Sequence, residues 1–172
     1  MKTGELSISI VDDDEMFLTS LKHFLQQKFR SPINIKLFHT GEEFLKDLSE
    51  QKSDIVILDY ILNNSRPYAM DGYAVLQKIK QLNPEMTVIM LSGQNRIEVA
   101  IQSIKDGAYD YIIKNDTVFL KIQTVLKNAI NSTLASKRLE GYRRWYIRIG
   151  LFFISAAIIV FLLKIFFLNE SN

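Results

Sequence analysis

Residues 54–93 read DIVILDYILNNSRPYAMDGYAVLQKIKQLNPEMTVIMLSG. Two short β-branched runs, 55–58 and 87–91, flank a segment in which Tyr73, Leu76 and Ile79 recur at helical spacing. That is the pattern of a strand, a helix and a second strand. Parallel neighbouring strands need a crossover of a dozen or more residues, usually a helix, so the unit predicts a parallel pair.

The same alternation extends outward. Further strand-like runs occur at 6–11, 33–38 and 109–113, and helical spacing appears in Phe17, Leu18, Leu21, Phe24 and Leu25, in Phe44, Leu45 and Leu48, and in Val99, Ile101 and Ile104. After the fifth strand, Val118, Ile122, Val125, Leu126, Ile130 and Leu134 continue a helix expected over about 117–139, before Gly141. Five strands each followed by a helix predict a doubly wound parallel α/β sheet with helices on both faces. Such sheets place ligands beyond the C-terminal ends of their strands.

Those ends are rich in functional groups. The first strand runs into Val11-Asp12-Asp13-Asp14-Glu15, the third ends at Leu58-Asp59, the fourth at Leu91-Ser92-Gly93 and the fifth at Ile113-Lys114. Crowded carboxylates raise one another's pKa unless a cation neutralises them. Mg²⁺ suits such a rim, because it prefers oxygen ligands and takes one or two carboxylates with phosphate and water. Asp59 is then a candidate nucleophile toward phosphorus, with Ser92 and Lys114 placed to receive phosphoryl oxygens. Singly, each has a plainer reading: Asp14 and Glu15 as helix-capping acids, Asp59 as a turn residue, Ser92 and Lys114 as surface. Their joint placement at four strand ends favours a site.

Composition removes other chemistries. The 172 residues contain no cysteine and only His23 and His39, which excludes disulfide scaffolds, thiolate metal sites, thiol nucleophiles and multi-His metal centres. The sequence pI near 8.7 does not point to nucleic acid. Residues 1–136 carry 15 Lys+Arg against 17 Asp+Glu, net −2, and the basicity lies in residues 137–172, with 6 against 2, net +4.

The tail supplies the second feature. Residues 149–168 hold one charge, Lys164, and 20 residues at about 1.5 Å each give about 30 Å, the hydrocarbon thickness of a bilayer. They read as a transmembrane helix, the alternative being a buried core helix. Trp145 and Tyr146 fall where an interfacial aromatic belt would lie, and Lys137, Arg138, Arg143, Arg144 and Arg148 precede the span. The positive-inside rule then makes the N-terminal body cytoplasmic. The start, MKTGELSISI, lacks an apolar core, so no signal peptide is expected. The expected organisation is a globular domain at 1–136, a basic juxtamembrane linker at 137–148, the span at 149–168 and a short tail at 169–172.

The strings VDDDE, DIVILDY, MDGYAVLQKIK, VIMLSGQ and IKDGAYDYIIK, in this order and spacing, resemble the successive motifs of the CheY-like receiver domain of bacterial two-component response regulators. The resemblance covers residues 6–134. It implies a flavodoxin-like (βα)5 fold, Asp59 as phosphoacceptor, and Mg²⁺ held by Asp12, Asp13 and Asp59, with Asp13 a direct ligand and the backbone carbonyl of Ile61 completing the set. It further implies that Ser92 and Lys114 contact the phosphoryl group, that Tyr111 is the aromatic switch residue, and that Gly72 lies in the turn into the third helix. Two departures stand out. Residues 60–70, with Asn63-Asn64-Ser65-Arg66-Pro67, form a longer loop than the family's usual one. Asn115 follows Lys114 where the family usually has proline, and a cis bond to a non-proline costs about 2.5–4 kcal/mol.

The expected protein is therefore a membrane-anchored receiver that accepts a phosphoryl group from a histidine kinase or phosphotransfer protein. Output would be by contact with a downstream protein, with membrane lipid as a further partner and a homodimer as an open alternative. No nucleic-acid partner is expected. No dedicated enzyme activity is expected beyond Mg²⁺-dependent self-phosphorylation from phosphodonors and slow autodephosphorylation. The rival readings are a receiver-like membrane scaffold without phosphate turnover, and a membrane phosphohydrolase using Asp59, which lacks an evident second acid or base.

Overall fold

The strands of the computed structural model fall on the β-branched runs, and the first, third and fourth run into or end on Asp12, Asp59 and Ser92. The structure describes residues 6–29, 33–62, 69–93 and 96–170, without the side chains of 137–144, 147, 153 and 156–170. The elements alternate: β1 (Leu6–Val11), α1 (Glu15–Lys28), β2 (Ile33–Phe38), α2 (Gly41–Glu50), β3 (Ile55–Asp59), α3 (Gly72–Leu82), β4 (Thr87–Ser92), α4 (Ile97–Lys105), β5 (Asp110–Ile113) and α5 (Val118–Glu170). The strands form one parallel sheet in the order β2-β1-β3-β4-β5, a flavodoxin-like α/β arrangement.

The period of two along the strands divides the core into two layers. Ile8 and Ile10, Ile55 and Ile57, Ile89 and Leu91 pack with Leu18, Leu21 and Leu25 of α1 and with Ile122 and Leu126 of α5. Val11, Val56, Leu58, Val88 and Met90 turn to the other face, against Phe44 of α2 and Val75, Leu76 and Ile79 of α3. Each such side chain contributes about 1.5–3 kcal/mol on burial. The sheet is thereby clamped from both sides, and its strand ends are held rigid.

Helix starts are set by the chain's own acids and hydroxyls. Asp14 caps α1 by accepting from the Met16 and Phe17 amides, the capping role its position predicts. Thr40 caps α2 and Asp71 caps α3 in the same manner. The cap position of α4, Arg96, makes no side-chain capping bond. Ser103 is the fully buried residue of α4, while Ile97, Ile101 and Ile104 lie on its exposed side.

The chain divides into two compact units, Met1–Asn131 and Ser132–Asn172. The expected end of the fifth helix before Gly141 is corrected: α5 continues to Glu170. A single glycine costs a helix interior only about 1 kcal/mol relative to alanine, and no proline occurs between 118 and 170 to break the ladder. Among the described residues no helix is long and apolar enough to cross a membrane. Side chains 156–168 of the expected span, including Lys164, lie outside the described residues, as do those of Lys137, Arg138, Arg143 and Arg144. Asn63-Asn64-Ser65-Arg66-Pro67 of the long loop also lie outside them.

Candidate phosphoryl-acceptor site

The register of the sheet brings the acidic and basic groups together. In the ladder, Asp59 pairs with Leu91 and Ser92 with Ile113. The Tyr60 amide donates to the Leu91 carbonyl at 2.8 Å, the Lys114 amide to the Ser92 carbonyl at 2.8 Å and the Asp12 amide to the Phe38 carbonyl at 3.1 Å. These bonds carry the ladder one residue beyond the strands and fix the backbones of the residues that matter. No cis peptide bond occurs among the described residues, so Lys114–Asn115 is trans.

Asp12 is fully buried and Asp59 is 5% exposed. The Lys114 ammonium donates to Asp12 Oδ2 at 2.6 Å and lies 3.0 Å from Asp59 Oδ2, bridging carboxylates delivered by β1 and β3. Asp12 Oδ1 accepts from the Asp14 amide at 3.1 Å. Asp59 Oδ1 is buried without a hydrogen-bond partner. Burial is the main force raising the Asp59 carboxyl to about pKa 6, aided by Asp12 and opposed by Lys114. Burial also raises Asp12, again against the pull of Lys114. For Lys114, burial favours the neutral amine, but the Asp59 and Asp12 charges outweigh it and raise its pKa. The ammonium is therefore secure, while the two carboxylates are under-neutralised.

That deficit is the physical case for a cation. Asp12, Asp13 and Asp59 each offer an oxygen, all within 4.8 Å of one another. Asp13 is half-buried. An all-oxygen donor set of this size, with an uncompensated buried oxygen on Asp59, fits Mg²⁺. Ile61 lies two residues beyond the end of β3, and Ser92 is fully buried at the end of β4. Tyr111 is half-buried on β5 and packs on the core layer shared with Met90 and Ala108, its amide held by the Asp110 carboxylate at 2.7 Å.

Two contributors escaped the sequence reading, and a third, Gly72, does more than was expected of it. Gly72 is more than a turn residue: a Cβ there would overlap the Asp59 carbonyl oxygen, and its amide donates to the Tyr60 carbonyl at 3.0 Å. Only glycine lets α3 start this close to the end of β3, and the Asp-Gly pair at 71–72 was the available signal. Glu42 of α2 accepts from the Met70 amide at 2.8 Å and fastens the end of the long loop. Phe17, read only as part of an apolar helix face, stands over the Lys114 ammonium, 4.6 Å from ring centroid to nitrogen. No local pattern announces either of these last two contacts.

A doubly wound parallel sheet with two buried aspartates and a lysine at its C-terminal edge matches the arrangement expected of a receiver domain. Residues 8–122 match the model of the response regulator receiver domain family, and the chain belongs to it. It is 33% identical over 133 residues to the transcriptional regulatory protein ZraR of Escherichia coli, an alignment that covers 77% of this chain and 28% of ZraR. The chain thus spans about a quarter of the length of the curated relatives it matches. Among solved structures it is similar to a CheY-like receiver domain protein of Methanospirillum hungatei, with TM-score 0.67 and 25% identity over 77% of this chain and 99% of the other. A response regulator of Burkholderia pseudomallei, solved with a phosphorylated aspartic acid, a calcium ion and citrate, has TM-score 0.60 and 25% identity, covering 79% and 75%. Receiver domains typically bind Mg²⁺ at an acidic pocket and interact with histidine kinases and downstream effectors.

Proposed function

We propose that the chain accepts a phosphoryl group on Asp59 from a phosphohistidine partner and passes the signal on by protein contact from a membrane-anchored position. The observation that carries the site reading is the Lys114 ammonium shared between two buried carboxylates, with Asp59 Oδ1 left unpaired. In the reaction an Asp59 carboxylate oxygen forms the new O–P bond as the P–N bond to the donor imidazole breaks. The bond pair leaves with the imidazole, which takes up a proton.

Asp12, Asp13, Asp59 and the Ile61 carbonyl would hold Mg²⁺, which when bound supplies charge neutralisation for the incoming phosphoryl oxygens. The rest is done by the chain's own groups. Lys114 keeps its proton and turns from Asp59 toward a phosphoryl oxygen. The Ser92 hydroxyl donates to another. Movement of Ser92 vacates space into which Tyr111 rotates, altering the surface of α4, β5 and the first turns of α5. The burial that raises Asp59 also strips water from it, which strengthens every charge interaction in the site.

The anchor rests on the sequence. Residues 149–168 carry a single charge, the exposed Trp145 and Tyr146 precede them, and Arg148 marks the cytoplasmic side. A homodimer and a lipid contact belong to the same proposal, and the receiver would then face the cytoplasm.

Acetyl phosphate with Mg²⁺ should label the full chain in an acid-labile, hydroxylamine-sensitive manner, and Asp59→Asn should remove the label. Unchanged labelling in that variant overturns the phosphoacceptor assignment. Saturable beryllofluoride binding without turnover of added phosphoesters separates this reading from a phosphohydrolase. For the anchor, the full chain should resist carbonate extraction from membranes, and a reporter placed after Asn172 should be inaccessible from the cytoplasm. Release by carbonate overturns the anchor and leaves the phosphoacceptor reading intact.

A further inference from the structure

The Lys114 side chain is 21% exposed and held on two sides. On one side are Asp12 Oδ2 and Asp59 Oδ2. On the other is the face of the Phe17 ring. The ring itself is fixed: Phe119 of α5 meets it edge-on at 5.5 Å and 68°, and Phe24 of α1 braces Phe119 at 5.4 Å. Its backbone is fixed as well, because the Phe17 amide donates to the Asp14 cap at 3.1 Å, one residue beyond the Asp12-Asp13 pair. One short stretch, 12–17, therefore delivers two acids of the site and the ring that faces its cation.

An aromatic face attracts a cation and excludes the water that would otherwise hydrate it. A lysine stem has four rotatable bonds, and an ammonium bonded to carboxylates alone can swing about them with its hydration shell attached. With the ring in place the ammonium is confined to the carboxylate side.

We infer that Phe17 is a positioning residue for Lys114, holding the ammonium at the place where phosphoryl oxygens arrive. The inference rests on the reading of Asp59 as phosphoacceptor. Phe17 touches no reacting atom, and its effect passes through Lys114. Confinement of a catalytic cation lowers the ordering still needed at the moment of transfer. Its loss should therefore slow phosphorylation without abolishing it.

The test uses the full chain in detergent with acetyl phosphate and Mg²⁺. Phe17→Leu removes the ring, Phe17→Tyr keeps it, and Phe24→Leu loosens the same aromatic cluster without touching Lys114. Phosphorylation by Phe17→Leu is expected to slow about three- to tenfold, with Phe17→Tyr and Phe24→Leu within about twofold of the parent. A direct geometric readout accompanies the rates. The Lys114 ε-methylene protons, observed with ¹³C-lysine and assigned with Lys114→Arg, should be shifted upfield by the ring current in the parent and in Phe17→Tyr. They should return to ordinary lysine positions in Phe17→Leu.

Equal rates for Phe17→Leu and parent overturn the positioning role. So does a loss of rate in Phe24→Leu as large as in Phe17→Leu, which would mark general loosening of the cluster. Unshifted Lys114 protons in the parent overturn it on geometry alone. A parent that takes up no phosphoryl group but shows the ring-current shift overturns the positioning role together with the phosphoacceptor reading.

Discussion

Helices α1 and α4 share one sheet and differ in how they are held. Helix α1 starts on a bonded Asp14 cap and buries Leu18, Leu21 and Leu25 completely. Helix α4 starts at Arg96 without a capping bond, buries Ser103, whose hydroxyl has no hydrogen-bond partner, and leaves Ile97 66%, Ile101 50% and Ile104 46% exposed. The helix that carries site residues at its head is anchored by apolar burial, which is worth several kcal/mol per helix. Helix α4 has little of that and retains an unsatisfied buried hydroxyl, which costs about 1–3 kcal/mol. The difference leaves α4 held less firmly against the sheet than α1.

The largest effect that would sharpen the contrast is Leu21→Ala. A cavity at the centre of α1's buried face should cost about 2–5 kcal/mol in urea unfolding. A loss under about 1 kcal/mol would mean that α1 is no better anchored than α4.

Next comes the cost of the site itself. The Asp59 carboxyl is raised from 3.8 to about 6, so the folded protein holds a proton that the unfolded chain releases between those values. For a raised acid, stability is full below the unfolded pKa and falls as pH rises through the folded one. In metal-free buffer Asp59→Asn should therefore gain about 1–3 kcal/mol over the parent at pH 7, a gain that vanishes below about pH 4. Thermal unfolding across pH checks this, and a difference independent of pH would refute it.

Asp14→Ala should cost about 1 kcal/mol by leaving the Met16 and Phe17 amides unpaired. Hydrogen exchange should speed up in the first turn of α1 alone. The smallest effect belongs to α4: Ile101→Gln should change stability by less than about 0.5 kcal/mol, since half of that side chain is already in water. A loss of 2 kcal/mol there would erase the difference between the two helices.

Much of this was legible in one dimension. The runs at 6–11 and 33–38 coincide with β1 and β2, and the other three strands differ from expectation by a residue at one end. The acids and Lys114 were legible because a parallel sheet sends all its strand ends to one edge. The continuation of α5 past Gly141 was not, because a lone glycine signals a break more strongly than it enforces one. The reversal of α4 was equally hidden. Val99, Ile101 and Ile104 have the helical spacing that reads as a core face, yet Ile101 is 50% and Ile104 46% exposed, and the residue that α4 buries is Ser103.

What the amino-acid sequence determined by itself is what depends on periodicity and local capping: the alternation of strands and helices, the parallel sheet, the Asp14 cap, and the identity of the groups at the strand ends. Only the tertiary structure decided how those groups meet. It set Lys114 between Asp12 and Asp59, left Asp59 Oδ1 unpaired, brought Gly72 against the Asp59 backbone and laid Phe17 over the Lys114 ammonium. The reason is one of range. Backbone preference acts over a few residues, whereas Lys114 and Asp12 are 102 positions apart, and their distance follows from the register of the sheet and the packing of α1 against α5.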